Sequence, residues 1–372
     1  FFWVARMIMM GLENMGEIPF HTVYLHGLVR DAKGEKMSKV RGNVINPLDA
    51  IKEYGTDALR FALSTGTSPG NDIKLSQSRM ESSRNFVNKI WNASRFVIMG
   101  IKDDKPDLTI NYDQLPVEDT WILSKLNRTL LTAEKLMEDY QFGEAQRNIY
   151  DFIWSEFCDW YIEIAKIRLK DEKALSPIPV LIHVLETSLR LLHPYMPFVT
   201  EELWQTLKKR VQEDDNWAES IMIAPYPSGD EKAVNHRSER LIGSVIDIVR
   251  AIRNARAERK VESKRRIPAG IYAGDLARDI SAYSQTIESL SLAKPLDVFD
   301  VHHQGDSSNN DLVMVLQDTE VVIPLASMVD IDAERNRLDK ELEEVKTNVE
   351  RLENRLNDEK FLSRAPEHVV QK

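Results

Sequence analysis

The chain has 372 residues, a formal net charge of −10, 42% hydrophobic and 29% charged residues. That usage excludes disordered, collagen-like and membrane-embedded classes and reads as an ordinary soluble globular protein. At roughly 100–200 residues per domain the length suggests two to four folded units. One cysteine, Cys158, excludes an intrachain disulfide and a cysteine-built zinc cluster, and it suits a reducing cytoplasm.

The most apolar stretch, residues 1–12, is interrupted by Arg6 and is shorter than the roughly 20 residues a spanning helix needs. It has no basic flank and no small-residue cleavage site, so it does not read as a signal peptide. Because the chain opens without Met and in the middle of an element, it is expected to be a piece of a longer protein.

Residues 1–75 read as α/β: an amphipathic segment to Leu12, then a β-branched and aromatic strand over 21–29 with His26-Gly27 towards its end. Asn46 and Pro47 then signal a helix start that Gly55 closes, and Thr56 is expected to cap a further helix to about Ser64. From 76 to 211 the apolar spacing turns helical, over 77–99, 118–140, 143–169, 179–192 and 197–211, with connections near 103–116 and 225–230. A helix over 238–262 carries a basic run: Arg250, Arg253, Arg256, Arg259, Lys260, Lys264, Arg265 and Arg266, against Glu258 and Glu262. Steps of three and four put most of these on one helical face, which suits either a nucleic-acid backbone or plain solvent.

A small α/β unit follows, with strands over 267–272, 295–302, 312–316 and 320–324 and a helix between Asp275 and Leu292. Last, Leu338, Leu342, Val345, Val349, Leu352 and Leu356 repeat in steps of four and three, the seam of a coiled coil. Fewer than three full heptads are present, so the arm is expected to dock or fold back within the molecule and the protein to be monomeric.

The loop Asp31-Ala32-Lys33-Gly34-Glu35-Lys36-Met37-Ser38-Lys39-Val40-Arg41-Gly42-Asn43 holds three lysines, an arginine and two glycines, just past a strand end. Strand ends of α/β sheets hold ligands, and flexible backbone with compact cations suits phosphate. In the bundle, Asn85, Asn88, Lys89, Asn92 and Phe96 share one helical face, a polar stripe ending in an aromatic that suits unstacked RNA bases. Trp121, Trp154, Phe157 and Trp160 read as core, Cys158 as a buried inert thiol, and His193 as a group satisfying a helix end.

Lys36-Met37-Ser38-Lys39-Val40 resembles the Lys-Met-Ser-Lys-Ser signature of the class I aminoacyl-tRNA synthetases, with Val40 where the family usually has Ser. Within that class the wording is most similar to the valyl enzymes, from His26-Gly27 to Asn43-Val44, through Asp57-Ala58-Leu59-Arg60, the 85–96 helix, Trp121 to Asn127, Phe157 to Tyr161 and Leu192 to Phe198. The resemblance covers essentially the whole chain.

It implies the second half of a nucleotide-binding, Rossmann-like α/β catalytic domain (1–75), an all-α anticodon-binding helix bundle (76–265), a small α/β connector (266–330) and a coiled-coil tRNA-binding arm (331–372). The implied partners are ATP with Mg2+, valine and tRNA(Val), with no tightly bound metal. Lys36 and Lys39 would stabilise the departing pyrophosphate, with Met37 and Ser38 beside them, while His26 and Gly27 would border the adenine. Trp3, of Phe1-Phe2-Trp3, would form a wall of the valine pocket, and Asn85, Asn88, Lys89, Asn92 and Phe96 would meet tRNA. No His-Ile-Gly-His sequence and no editing insertion is present, so the chain alone is expected to be inactive. Two alternatives remain open: an isoleucyl enzyme, disfavoured by the paucity of cysteine and by the terminal heptads with Ala365-Pro366-Glu367, and a non-catalytic tRNA-binding or coiled-coil protein, disfavoured by Lys36 and Lys39.

Overall fold

The computed structural model describes residues 2–101, 108–171, 173–211, 217–301, 311–328 and 331–356. Residues 103–107 of the link expected over 103–116, the strand end at His302 and the Ala365-Pro366-Glu367 tail lie outside the described residues. The chain forms two compact units, Phe1–Ile242 and Gly243–Lys372.

In the first unit, α1 (Phe2–Met15) has no buried residue. The expected strand over 21–29 shrinks to β1 (Val29–Arg30), parallel to β2 (Ile73–Lys74). Residues 25–30 do run extended, and the N–H groups of Gly70, Ile73 and Leu75 donate to the carbonyls of Leu25, Leu28 and Arg30 at 2.7, 2.8 and 2.9 Å. A β-favouring composition is only half of a ladder, and the partner segment decides where the regular pairing lies. The α2 helix (Pro47–Tyr54) starts as expected, with the Asn46 side chain accepting from the Leu48 N–H at 3.1 Å, and ends at Gly55 with φ 92°. Thr56 does not cap α3 (Thr56–Ser64): Gly55 occupies the N-cap and Thr56 is already helical.

The bundle comprises α4 (Gln77–Gly100), α5 (Val117–Glu138), α6 (Phe142–Asp151), α7 (Ile162–Arg168), α8 (Ile178–Leu192) and α9 (Pro197–Val211). Between α6 and α7 the helix widens into a π-helical stretch, Phe152–Tyr161. Trp121, Phe86, Phe157, Tyr161, Leu181, Leu189 and Trp204 are each at most 1% exposed. Each buried apolar side chain of Leu size contributes about 1.5–3 kcal/mol, so this interior stabilises the unit. Trp160 is buried as expected, whereas Trp154 is only half-buried. Cys158 is buried, and burial pushes its thiol up to about 12, which leaves it protonated and inert at neutral pH.

Two residues of Asp57-Ala58-Leu59-Arg60 clamp the start of α9. The Asp57 carboxylate, 7% exposed, accepts from the Phe198 and Val199 N–H groups at 3.3 and 2.7 Å. Arg60 donates to the carbonyls of Tyr195 and Pro194 at 3.3 and 3.1 Å. A carboxylate at this end satisfies orphan donors and complements the helix dipole. Asp57→Ala is therefore expected to cost about 1–2 kcal/mol in urea unfolding, and Asp57→Asn, which keeps an acceptor, less; equal losses in the two variants would contradict the capping role. His193, at the end of α8, bonds through Nδ1 to the Thr200 hydroxyl at 2.8 Å.

The α10 helix (His236–Glu258) contains the boundary between the units. In the second unit β3 (Ile267–Tyr272), β4 (Ala293–Phe299), β5 (Asp311–Val315) and β6 (Glu320–Pro324) form a sheet of order β4-β3-β6-β5. The β3–β4 pair is parallel and the other two pairs are antiparallel. A parallel pair needs a crossover, supplied here by α11 (Ala277–Ser281) and α12 (Ser284–Ser291) in place of the single helix expected over 275–292. At the break the Ser281 and Ser284 hydroxyls donate to the carbonyls of Ala277 and Ser281 at 2.7 and 2.9 Å, local bonds that compete with helix propagation. After the short α13 (Leu325–Met328), α14 (Ile331–Leu356) carries the seam, with Leu338, Leu342, Val345, Val349 and Leu352 between 47% and 59% exposed.

Two signals misled the reading of the basic helix. It ends at Glu258, four residues early, because Lys260 turns left-handed (φ 52°) while the N–H groups of Val261 and Lys260 close on the carbonyls of Arg256 and Ala257 at 2.9 and 3.1 Å. This is a Schellman ending built on lysine where glycine is usual. Arg256, expected on the charged face, is 7% exposed.

Candidate functional site

The basic loop is a tethered structure. A bridge pairs Arg30 with Lys36 across its base. Asp31 organises one side: its Oδ1 accepts from the N–H groups of Lys33 and Glu35 at 3.0 and 2.8 Å, and its Oδ2 from the Asn43 amide at 2.9 Å. The Asn43 Oδ1 accepts from the Ser38 N–H at 2.9 Å, and its amide also donates to the Lys36 carbonyl at 3.3 Å. The Asn43 amide, then the Glu35 N–H, hold the Asp31 carboxyl below the usual carboxylate range. Gly34 and Gly42 take φ 85° and 67°, the turns that only glycine adopts at little cost.

Met37 packs on the hydrophobic cluster of Ala50, Tyr54, Ala58 and Leu59, and Ser38 is half-buried with its hydroxyl accepting from the Arg41 N–H at 3.2 Å. Lys36 and Lys39 are exposed and, among the described residues, have no ion-pair partner. Anchors and cations thus alternate along the loop: Met37 and Ser38 hold the backbone, and the two ammonium groups stand in solvent. Val40 is 99% exposed, so the missing hydroxyl leaves no hole in the fold.

His26 and Gly27 lie on the extended segment leading into β1. The exposed His26 ring bonds through Nδ1 to the Gly27 carbonyl at 2.9 Å, and no hydrogen bond joins it to the loop among the described residues. A Cβ on Gly27 would fall 1.7 Å from the Asn71 carbonyl oxygen, so close packing of two backbone segments requires glycine there. Asp72, beside it, accepts from the Leu28 N–H at 2.8 Å and from Arg30, and these two bonds lower its pKa. Trp3 stands apart on α1, 70% exposed, with the Arg6 guanidinium 4.6 Å over its ring.

On α4, Asn85, Asn88 and Asn92 are exposed while Lys89 and Phe96 are half-buried. The Lys89 ammonium meets the Asp159 carboxylate at 2.5 Å and lies 3.6 Å over the Trp154 ring. Both partners come from the π-helical stretch, where residues five apart approach one another around the helix. Tyr150 stacks on Trp154 at 5.6 Å, and the Lys166 ammonium lies 5.3 Å from the Phe96 ring. Trp91, 45% exposed on the same helix, adds an aromatic that the polar-stripe pattern did not include. The Asp31–Asn43 hub was also missed; Asp two residues before Lys-Gly is a turn signal that could have found half of it.

Three stretches of the chain match known protein families. Residues 1–76 match the family described as tRNA synthetases class I (I, L, M and V), 119–271 the anticodon-binding domain of tRNA ligase, and 330–372 the valyl tRNA synthetase tRNA binding arm. The valine–tRNA ligase of Dehalococcoides mccartyi is 54% identical over 376 residues, covering 100% of this chain and 42% of that protein. Those of Listeria innocua and Clostridium perfringens are each 43% identical, covering 100% of this chain and 41% and 42% of theirs. The chain belongs to the class I aminoacyl-tRNA synthetases, with a catalytic-domain segment followed by an anticodon-binding domain. Within that class it is a member of the valine–tRNA ligase family, and it spans less than half the length of these relatives.

Proposed function

We propose that this chain works as part of a longer valine–tRNA ligase, which condenses valine with ATP to valyl-adenylate and pyrophosphate and then esterifies tRNA(Val). The carrying observation is the loop in which Lys36 and Lys39 are exposed while Met37 and Ser38 are anchored. In the activation step the valine carboxylate attacks the α-phosphorus of ATP, which enters as its Mg2+ complex, and negative charge grows on the leaving phosphates. Cations held at that place beforehand lower the barrier because no reorganisation is needed as the charge appears. Lys36 and Lys39 take that role, with Ser38 holding the loop backbone; His26 and Gly27 border the adenine, and Trp3 lines the valine pocket.

The bundle's α4 face, Asn85, Asn88, Lys89, Asn92 and Phe96, meets unstacked anticodon bases, and the 331–372 coiled-coil arm, whose last sixteen residues lie outside those described, docks or folds back within the molecule and supports the tRNA of a monomeric cytoplasmic enzyme. The 1–75, 76–265, 266–330 and 331–372 segments are the functional divisions. Among the described residues no helix is long and apolar enough to cross a membrane.

The tRNA side is tested in the full-length enzyme with Lys89→Ala and Phe96→Ala. A base–aromatic stack contributes about 1–3 kcal/mol, so Phe96→Ala should raise the KM for tRNA about 5- to 150-fold and leave pyrophosphate exchange unchanged. Lys89→Ala should move the same constant. Equal losses in both assays would make these residues supports of the bundle, through Asp159 and Trp154, and not contacts.

A further inference from the structure

We infer that the turn closing α10, residues 259–266, is a preformed site for the phosphate backbone of a double-helical RNA stem, additional to the base-contacting face of α4. The inference rests on the reading of the chain as a tRNA ligase segment.

The turn presents Arg259, Lys260, Lys264 and Arg266, all exposed and without an ion-pair partner among the described residues, against the exposed carboxylates of Glu258 and Glu262. A chain of net charge −10 therefore has a local surplus of cations here. The backbone that carries them is pinned from below. Arg256, 7% exposed, donates to the Arg265 carbonyl at 2.7 Å and to the Glu262 carbonyl at 3.1 Å, while the Arg265 N–H closes on the Glu262 carbonyl at 3.1 Å. One buried guanidinium thus joins the end of the helix to the far side of the turn. Lys260 sits left-handed (φ 52°) at the position where glycine is usual, a conformation that costs a side-chain-bearing residue about 1–2 kcal/mol. A strained lysine held in an ordered turn means that the ligand meets cations already in place, and binding does not have to order the backbone.

The chemistry selects the ligand. Phosphodiesters are bound by Arg and Lys as anions, without regard to sequence. Residues 256–266 contain no aromatic side chain, so the turn lacks the stacking platforms with which proteins hold single strands. A stem, recognised through its backbone, fits what remains.

The experiment uses the full-length enzyme and the quadruple variant Arg259→Gln, Lys260→Gln, Lys264→Gln and Arg266→Gln. Binding of tRNA(Val), and of an unrelated RNA duplex of about 16 base pairs, is followed by fluorescence anisotropy across about 50–200 mM salt. Losing four phosphate contacts at about 0.7–0.9 each should flatten the slope of log K against log salt by about 3 for both RNAs, and weaken both at least tenfold at the lowest salt. Valine-dependent exchange should be unchanged. If the quadruple variant does not fold, Arg259→Gln and Lys264→Gln taken singly should each flatten the slope by about 0.7–0.9. Unchanged slopes, or a loss confined to tRNA(Val), would overturn the inference. A wild-type enzyme that binds no tRNA would instead sink the functional reading beneath it.

Discussion

Replacing Lys39 with Ala in the full-length enzyme is expected to slow valine activation about 10²–10³-fold while the KM for valine stays nearly constant. Lys39 is exposed on a loop whose backbone is tied by Asn43, Asp31 and Met37, so its loss should remove a charge without unfolding the loop. In the proposed role its partner charge develops only as pyrophosphate departs, and an interaction made only in the transition state appears in the rate and not in ground-state affinity. Lys36→Ala should behave in the same way. Single-turnover formation of valyl-adenylate measures this; a collapse in valine binding with the rate preserved would show that Lys39 holds substrate and does not act on the barrier.

The second large effect is expected in the bundle, far from any phosphate chemistry in its logic. Arg168 donates from Nη1 to Asp119 at 2.5 Å and to Glu118 at 3.1 Å, and from Nη2 to the Leu175 carbonyl at 2.7 Å; Asp119 also accepts from the Tyr161 hydroxyl at 2.7 Å. Its side chain is 1% exposed, and burial pushes its carboxyl above the ordinary value. Arg168→Met would leave buried carboxylates without their cation, a change that costs about 3–5 kcal/mol. An acid whose folded pKa lies above its unfolded pKa binds more protons when folded, so its penalty grows as pH rises through that window and shrinks as pH falls. The gap in urea midpoint between wild type and Arg168→Met should therefore narrow from pH 7 towards pH 5. A gap that is small at pH 7, or that widens on acidification, would contradict the account.

Helix starts and stops with local chemistry were legible in the sequence: Asn46-Pro47 and Gly55 bound α2, and Pro197 opens α9. The β3 and β6 strands fell at the expected bounds, β3 with alternating burial and β6 as a short β-branched run. What was not legible depended on partners distant in sequence, or on residues acting against type. The strand expected over 21–29 pairs only from Leu25 onward, where residues 70–75 run beside it; α10 stops on a lysine; and nothing in the 152–161 composition announces a π-helical stretch. The loop's importance came from the wording Lys36-Met37-Ser38-Lys39, since exposed lysines between glycines are common. Its rigidity came from Asp31 and Asn43, twelve residues apart, whose bond only the fold displays. Lys89 was read as a residue for RNA, and the fold adds Asp159 and Trp154 as the groups that orient it.

The central claim, that this chain supplies the pyrophosphate-stabilising loop of a valine-specific ligase, is tested most directly by amino-acid-dependent exchange of pyrophosphate into ATP. The full-length enzyme should be measured with valine, isoleucine, leucine and methionine in parallel. The account predicts that valine supports exchange best and that Lys36→Ala with Lys39→Ala abolishes it in a folded protein. Exchange best supported by another amino acid, or exchange with valine that survives the loss of both lysines, would contradict it.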